Sequence, residues 1–269
     1  MTQNVQSDVP RNRAGGFVGG VGIGALGGLI GLGGAEFRLP LLIGLFGFGA
    51  LEAVIVNKAM SLIVVASALP FRMGSIPFQA LVDHWTVIAN LLAGSLIGAW
   101  VGASWATRLK SETLYRILAI LLVAIAAVLL VGHGARDTAS AVATGTSQMA
   151  AGVAAGFLIG VVASLMGVAG GELLIPTLIL LFGADVKLAG SLSLAVSLPT
   201  MLVGFGRYSL DSTFTVLGRN LWFVLLMAAG SIVGTFLGAK LLDVVPSAIL
   251  LPTLALILVI SAVKVWRHR

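Results

Sequence analysis

Seven stretches of this chain contain no Asp, Glu, Lys or Arg: residues 14–35, 84–107, 117–135, 138–171, 188–206, 220–239 and 244–263. Each is long enough for a helix across a hydrocarbon core about 30 Å thick, which takes about 20 residues. Only 10% of the residues are charged and the mean hydropathy is +1.09, whereas an ordinary soluble domain carries about 25% charged residues. This pattern excludes a typical cytosolic enzyme and predicts an integral membrane protein. Helices follow, because a spanning segment must satisfy its backbone hydrogen bonds internally. The chain has no cysteine, which removes disulfides, thiolate metal sites and cysteine nucleophiles. Its 16 Lys+Arg against 10 Asp+Glu read as an orientation signal in a membrane chain, not as a nucleic-acid footprint. Two further charge-free runs, 39–51 and 173–184, reach only about 20 Å at 1.5 Å per residue. They predict half-helices. The residues before Arg11 are polar and show no cleavage-site pattern, so no cleaved signal peptide is expected.

An internal repeat organises these spans. Gly31, Gly34, Glu36 and Pro40 recur 136 positions later as Gly167, Gly170, Glu172 and Pro176. The same offset carries Phe46-Gly47 onto Phe182-Gly183 and Ser61 onto Ser197. It also carries Gly94-Ser95, Gly98 and Gly102-Ala103 onto Gly230-Ser231, Gly234 and Gly238-Ala239. The predicted organisation is an N-terminal tail (1–16), a first repeat (17–131), a small Thr/Ser-rich linker (132–149), a second repeat (150–266) and a C-terminal tail (267–269). If 17–49 is a hairpin followed by three full spans, each repeat makes an odd number of crossings and the second is inverted. That arrangement places ten Lys/Arg inside, including Arg108, Lys110 and Arg207, against Arg72, Arg136, Lys187 and Lys240 outside. A single crossing by 17–49 gives nine against five, so the positive-inside rule prefers inversion. Both tails are then cytoplasmic.

Gly22-Ile23-Gly24-Ala25-Leu26-Gly27 matches a dinucleotide fingerprint in form, but it lies within an apolar span and lacks the strand and acidic residue that motif needs. Close helix packing explains it. The ridges Gly94-x3-Gly98-x3-Gly102 and Gly230-x3-Gly234-x3-Gly238 are of the kind that lets membrane helices approach closely. The informative segment is Gly31-Leu32-Gly33-Gly34-Ala35-Glu36-Phe37-Arg38-Leu39-Pro40, with its partner Gly167-Val168-Ala169-Gly170-Gly171-Glu172-Leu173-Leu174-Ile175-Pro176. Clustered glycines break a membrane helix, and non-helical backbone at that depth must be buried or line a cavity. The proline suits the first turn of the following half-helix. That helix end would aim free N–H groups and a positive dipole end at the break, forming an anion cradle. Paired breaks at a repeat interface point to a transporter's substrate site.

These two segments resemble the duplicated G-x-G-G-G-x-x-x-x-P signature of the sulfite exporter TauE/SafE family of membrane permeases, departing from it at Ala35 and Ala169. The resemblance runs from Phe17 to Trp266. It implies transport of a small sulfur oxyanion or organosulfonate, such as sulfite or sulfoacetate, with other anions assigned to some members. It also matches Asn57 and its offset partner Ser193 to a small polar position after the half-helix.

The fold expected is therefore an all-α polytopic membrane protein of two tandem, inverted repeats with re-entrant half-helices. The substrate site is expected at Gly33, Gly34, Ala35, Glu36, Arg38, Asn57, Gly170, Gly171, Glu172, Ser193 and Arg207. Amide and hydroxyl donors of Asn57 and Ser193 would complete an oxyanion's bonds, against ordinary interhelical bonding. Ser61 and Ser197 are weaker candidates. Arg38 and Arg207 suit bidentate oxyanion binding, or else anchor at the interface. Arg38, Lys58 and Arg207 have Leu174, Leu194 and Phe71 as their offset counterparts, so their roles are asymmetric.

Glu36 and Glu172 are the candidates for proton coupling: burial penalises an ionised carboxylate, whereas the dipole ends and Arg38 favour it. The alternative is a purely structural cap. No metal-ligand spacing exists among His84, His133 and His268, and no cofactor is expected. An intramembrane enzyme would need a nucleophile–base or metal constellation that the chain does not offer. The function expected is a secondary transporter in the bacterial cytoplasmic membrane. A carboxylate or thiosulfate is the alternative cargo, and a non-transporting sensor or assembly subunit the alternative class. The partners are the small anion and the bilayer, not nucleic acid, with a homodimer left open.

Overall fold

The structure is a computed structural model and describes residues 13–30, 34–73, 78–131, 145–241 and 247–267. Among the described residues it contains twelve α-helices, one 3-10 turn (Ser212–Thr215) and no strand. In order they are α1 (Arg13–Ile30), α2 (Ala35–Gly44), α3 (Ala50–Met73), α4 (Phe78–Asp83), α5 (Trp85–Ala106), α6 (Ser111–Val131), α7 (Gly145–Met166), α8 (Gly171–Phe182), α9 (Val186–Tyr208), α10 (Val216–Arg219), α11 (Leu221–Leu241) and α12 (Ser247–Arg267). Helices α3, α5, α7, α9 and α11 are long and apolar enough to cross a membrane. The outward faces of α5 and α11 carry Ile97, Trp100, Val101 and Trp105, and Trp222, Val233, Phe236 and Leu237. Such faces are stable against lipid tails and not against water. The protein is an all-α polytopic membrane protein.

The two short helices begin earlier than the distribution of charge predicted. Helix α2 starts at Ala35, not at 39, and α8 at Gly171, not at 173. Glu36, Arg38 and Glu172 therefore lie inside their half-helices, buried. Charge marks the end of a span only where the side chain must reach water, and these three stay inside the protein. The prolines are also displaced from the expected first turn. Pro40 and Pro176 each occupy the sixth helical position, where a missing N–H leaves the carbonyls of Glu36 and Glu172 without their helical donors. Helix α1 already includes residues 13–16 of the expected tail, α7 includes 145–149 of the expected linker, and α12 extends to Arg267. The rest of the tails and linker (1–12, 132–144 and 268–269) lies outside the described residues.

Glycine determines which helices meet. A Cβ at Gly94, Gly98 or Gly102 of α5 would run into the carbonyl oxygens of Val153, Phe157 and Val161 of α7. In α11, Gly230, Gly234 and Gly238 stand in the same way against Phe17, Val21 and Ala25 of α1. Each of those three lies 136 positions before its counterpart in α7. From the other side, Gly156 and Gly160 abut Leu91 and Ser95, as Gly20 and Gly24 abut Met227 and Ser231. Backbone against backbone at this range maximises dispersion contact and permits Cα–H···O contacts. The ridge of one repeat thus packs on the first helix of the other. Gly22, within the same glycine-rich run, has open space where a Cβ would go.

Helices α3 and α9 pack against each other at the centre, with α5 against α9 and α11 against α3. Helix α3 is apolar and fully covered over Ala53–Val56, and it then presents Asn57, Lys58 and Ser61, all buried. Half-helix α2 packs on α3 as α8 packs on α9. The polar faces of α3 and α9 and the starts of α2 and α8 therefore share one interior region.

Candidate anion site at the paired helix breaks

Each half-helix is capped at its N-terminus by a left-handed glycine: Gly34 at φ 69°, ψ 21° and Gly170 at φ 80°, ψ 9°. Most other residues would be strained there. The cap carbonyl accepts the third- and fourth-residue amides, from Phe37 and Arg38 onto Gly34 and from Leu173 and Leu174 onto Gly170. A glycine has no side chain with which to cap the first-turn amides, and neither cap makes a side-chain hydrogen bond. The amides of Ala35 and Glu36, and of Gly171 and Glu172, hold the positions at which a helix end receives an anion.

Helix α3 draws the two breaks together. The Asn57 amide nitrogen donates to the carbonyl of Ala35 in the first break and to that of Met166 in the second, both at 3.0 Å. Ser61 Oγ donates to Gly167 O at 3.2 Å and accepts from Arg38 Nη1 at 3.4 Å. Arg38 is fully buried and lies within electrostatic range of Glu36. Ser61 thus holds Arg38 from another helix.

The two glutamates are the unusual feature. Each occupies the second position of its half-helix, with 0% exposure for Glu36 and 5% for Glu172. Neither carboxyl meets a side-chain donor among the described residues, and each lies against the backbone amide of its own residue. Each carboxyl instead faces the other across the junction of the repeats. Two carboxylates in contact, with no donor between them, form a hydrogen bond only when one carries a proton. This arrangement can take up protons, and a protonated carboxyl can donate to an oxyanion. Neither side chain occupies an N-cap position: each stands at the second helical position, against the amide of its own residue.

The remaining expected residues divide. Ala35 is buried at the start of α2, and Gly171 is partly exposed at the start of α8. Gly33 lies outside the described residues. Ser193 Oγ donates at 2.9 Å to Gly190 O of its own helix, with no bond to the breaks among the described residues. Arg207 sits at the end of α9, where Nε donates to Ser104 Oγ at 2.7 Å and the guanidinium lies 5.8 Å from the Trp100 ring centroid. Its contacts are thus with α5 and not with the glutamates. Sequence reasoning missed Tyr208 and Ser164. Tyr208 is fully buried and donates to Ser164 O at 2.9 Å. Its signal was available, since the chain has only two tyrosines and this one adjoins a basic residue. Among the described residues, no group of three or more His, Cys, Asp or Glu stands close enough to hold a metal ion.

The family model described as "Sulfite exporter TauE/SafE" matches residues 17–265. No curated protein and no solved structure matches the chain.

Proposed function

The chain belongs to the sulfite exporter TauE/SafE family of membrane transporters, and we propose that it moves a small sulfur oxyanion or organosulfonate across the cytoplasmic membrane by proton-coupled alternating access. The single observation that carries the coupling is the facing pair of unpartnered carboxyls, Glu36 and Glu172, each beside uncapped amides at a half-helix start. Ionised, the pair repels an anion from those amides. Protonated, it adds O–H donors to the N–H donors of the helix ends, and Arg38 supplies a permanent positive charge nearby. Anion binding and proton uptake then favour each other by linkage. The two repeats are inverted in this proposal, so one break opens to each side of the membrane and rocking of one repeat against the other exposes the site alternately.

The substrate class is tested by thermal unfolding of the purified protein with sulfite, sulfoacetate, taurine, sulfate, thiosulfate and acetate. Sulfite or a sulfonate should stabilise, and acetate or thiosulfate should do less. Stabilisation by acetate alone would transfer the site to carboxylates. The inverted topology is tested with single cysteines, which the cysteine-free chain accepts cleanly. An impermeant external thiol reagent should label position 136 and spare position 109. The reverse labelling pattern would remove the inversion.

A further inference from the structure

Lys58 lies on α3 beside Asn57 but performs a different task. Its side chain is fully buried, and Nζ donates to Ala163 O at 3.2 Å and to Val168 O at 3.4 Å. Those carbonyls lie where the C-terminal end of α7 wraps into the second break. Val168 N returns to Ala163 O at 3.0 Å and Gly167 N to Ser164 O at 3.1 Å, with Gly167 left-handed at φ 69°. This wrap gathers carbonyls at the negative end of the helix dipole. Among the described residues no carboxylate stands within ion-pair distance of Nζ. The ammonium is therefore held by backbone oxygens alone, while an ammonium has three donors. Beside it, Ser164 Oγ is buried and makes no hydrogen bond. Gly204 of α9 packs closely against both: a Cβ there would come 2.7 Å from Ser164 Oγ and 3.4 Å from Nζ. Tyr208 closes the cluster by donating to Ser164 O.

A set of unwound-helix carbonyls with a neighbouring hydroxyl is the donor chemistry by which transporters with broken helices hold a coupling monovalent cation. Here a tethered ammonium already fills it. The offset counterpart of Lys58 is Leu194, which packs among apolar side chains with Met201 and Val65, so the device belongs to one repeat only. We infer that the Ala163–Val168 carbonyl cluster is a monovalent-cation site whose resident ion is the Lys58 ammonium, fixing the second break without any dissolved cation.

The inference concerns this cluster and not the cargo, so it is tested without anion. Purified wild type, Lys58→Ala and Lys58→Met are unfolded thermally in choline chloride, and then with choline replaced by sodium, lithium or methylammonium at constant ionic strength. The wild type should unfold at the same temperature in all four salts. Lys58→Ala should unfold several degrees lower in choline and recover most of that loss in at least one small cation, by mass action on the emptied site. Lys58→Met should be lowered as well and recover in none, because its side chain occupies the space without a charge. If Lys58→Ala does not survive purification in choline, the yield of monodisperse protein with and without methylammonium gives the same comparison. Wild-type stability in Lys58→Met, or a Lys58→Ala protein indifferent to every cation, would overturn the inference and leave the anion site untouched.

Discussion

Glu36→Gln and Glu172→Gln should each fold and bind anion, yet lose most of the pH dependence of transport. The sign follows from the pair. In the wild type the binding-competent form carries protons, so anion affinity should fall as pH rises through the range in which the pair ionises. For a single coupled proton the fall approaches tenfold per pH unit. A glutamine offers its amide N–H to the facing carboxylate at every pH and removes the like charge, imitating the protonated acid permanently. Affinity measured between about pH 5.5 and 8 should then change by less than about twofold to threefold overall in either variant. Thermal stability should stay near wild type or rise, because the new amide N–H gives the facing carboxylate a donor that it lacks. A structural cap predicts the opposite combination, lower stability by about 1 kcal/mol with the pH profile intact. Wild-type pH profiles in both variants would remove the carboxyls from coupling.

Gly34→Val and Gly170→Val should abolish anion-induced stabilisation. At Gly34 the added Cβ comes 2.5 Å from Ile23 O and 3.1 Å from Gly27 Cα, at φ 69°. At Gly170 the contacts are milder, 3.2 Å to Ala163 Cβ and to Ile159 Cγ2, but φ is 80°. A β-branched residue held there is strained by about 1–3 kcal/mol before any steric overlap, and the chain relieves that strain by turning the first-turn amides away from the break. Gly170→Asn separates geometry from side-chain volume. Asparagine tolerates the left-handed region, so this variant should keep a large part of the response that valine loses. Gly22→Ala, where a Cβ meets nothing within 4 Å, should leave anion binding unchanged and stabilise the helix by up to about 1 kcal/mol. Normal sulfite or sulfonate binding in both valine variants would place the cradle elsewhere.

The broken helices were legible because their cause is local. Glycine clusters, a nearby proline and short apolar runs announce α2 and α8 without any tertiary information. Their starts were misjudged for the opposite reason. Position 38 reads as a boundary until Ser61, on another helix, is seen to receive Arg38. The glycine ridges were legible as packing surfaces, but their partners were not: nothing at Gly98 names Phe157. The offset made Glu36 and Glu172 equivalent, yet only the fold brings their carboxyls face to face. Asn57 was weighed as a donor to the anion against ordinary interhelical bonding, and both of its bonds go to backbone carbonyls, one from each break. That use depends on carbonyls left over where helices end, which a reading of side chains along the chain does not count. Arg207 was legible only as a basic residue near a span; its contact with Ser104 and Trp100 comes from the packing of α9 on α5.

The most direct test measures anion and proton movement together in proteoliposomes. With sulfite, or the sulfonate that stabilises best, placed on one side at equal pH and with the membrane potential clamped, the anion gradient should carry protons in the same direction as the anion. The proton flux should be lost in Glu36→Gln and Glu172→Gln while anion flux persists. Anion flux through the wild-type protein with no accompanying proton movement between about pH 5.5 and 8 would contradict proton coupling at the paired breaks.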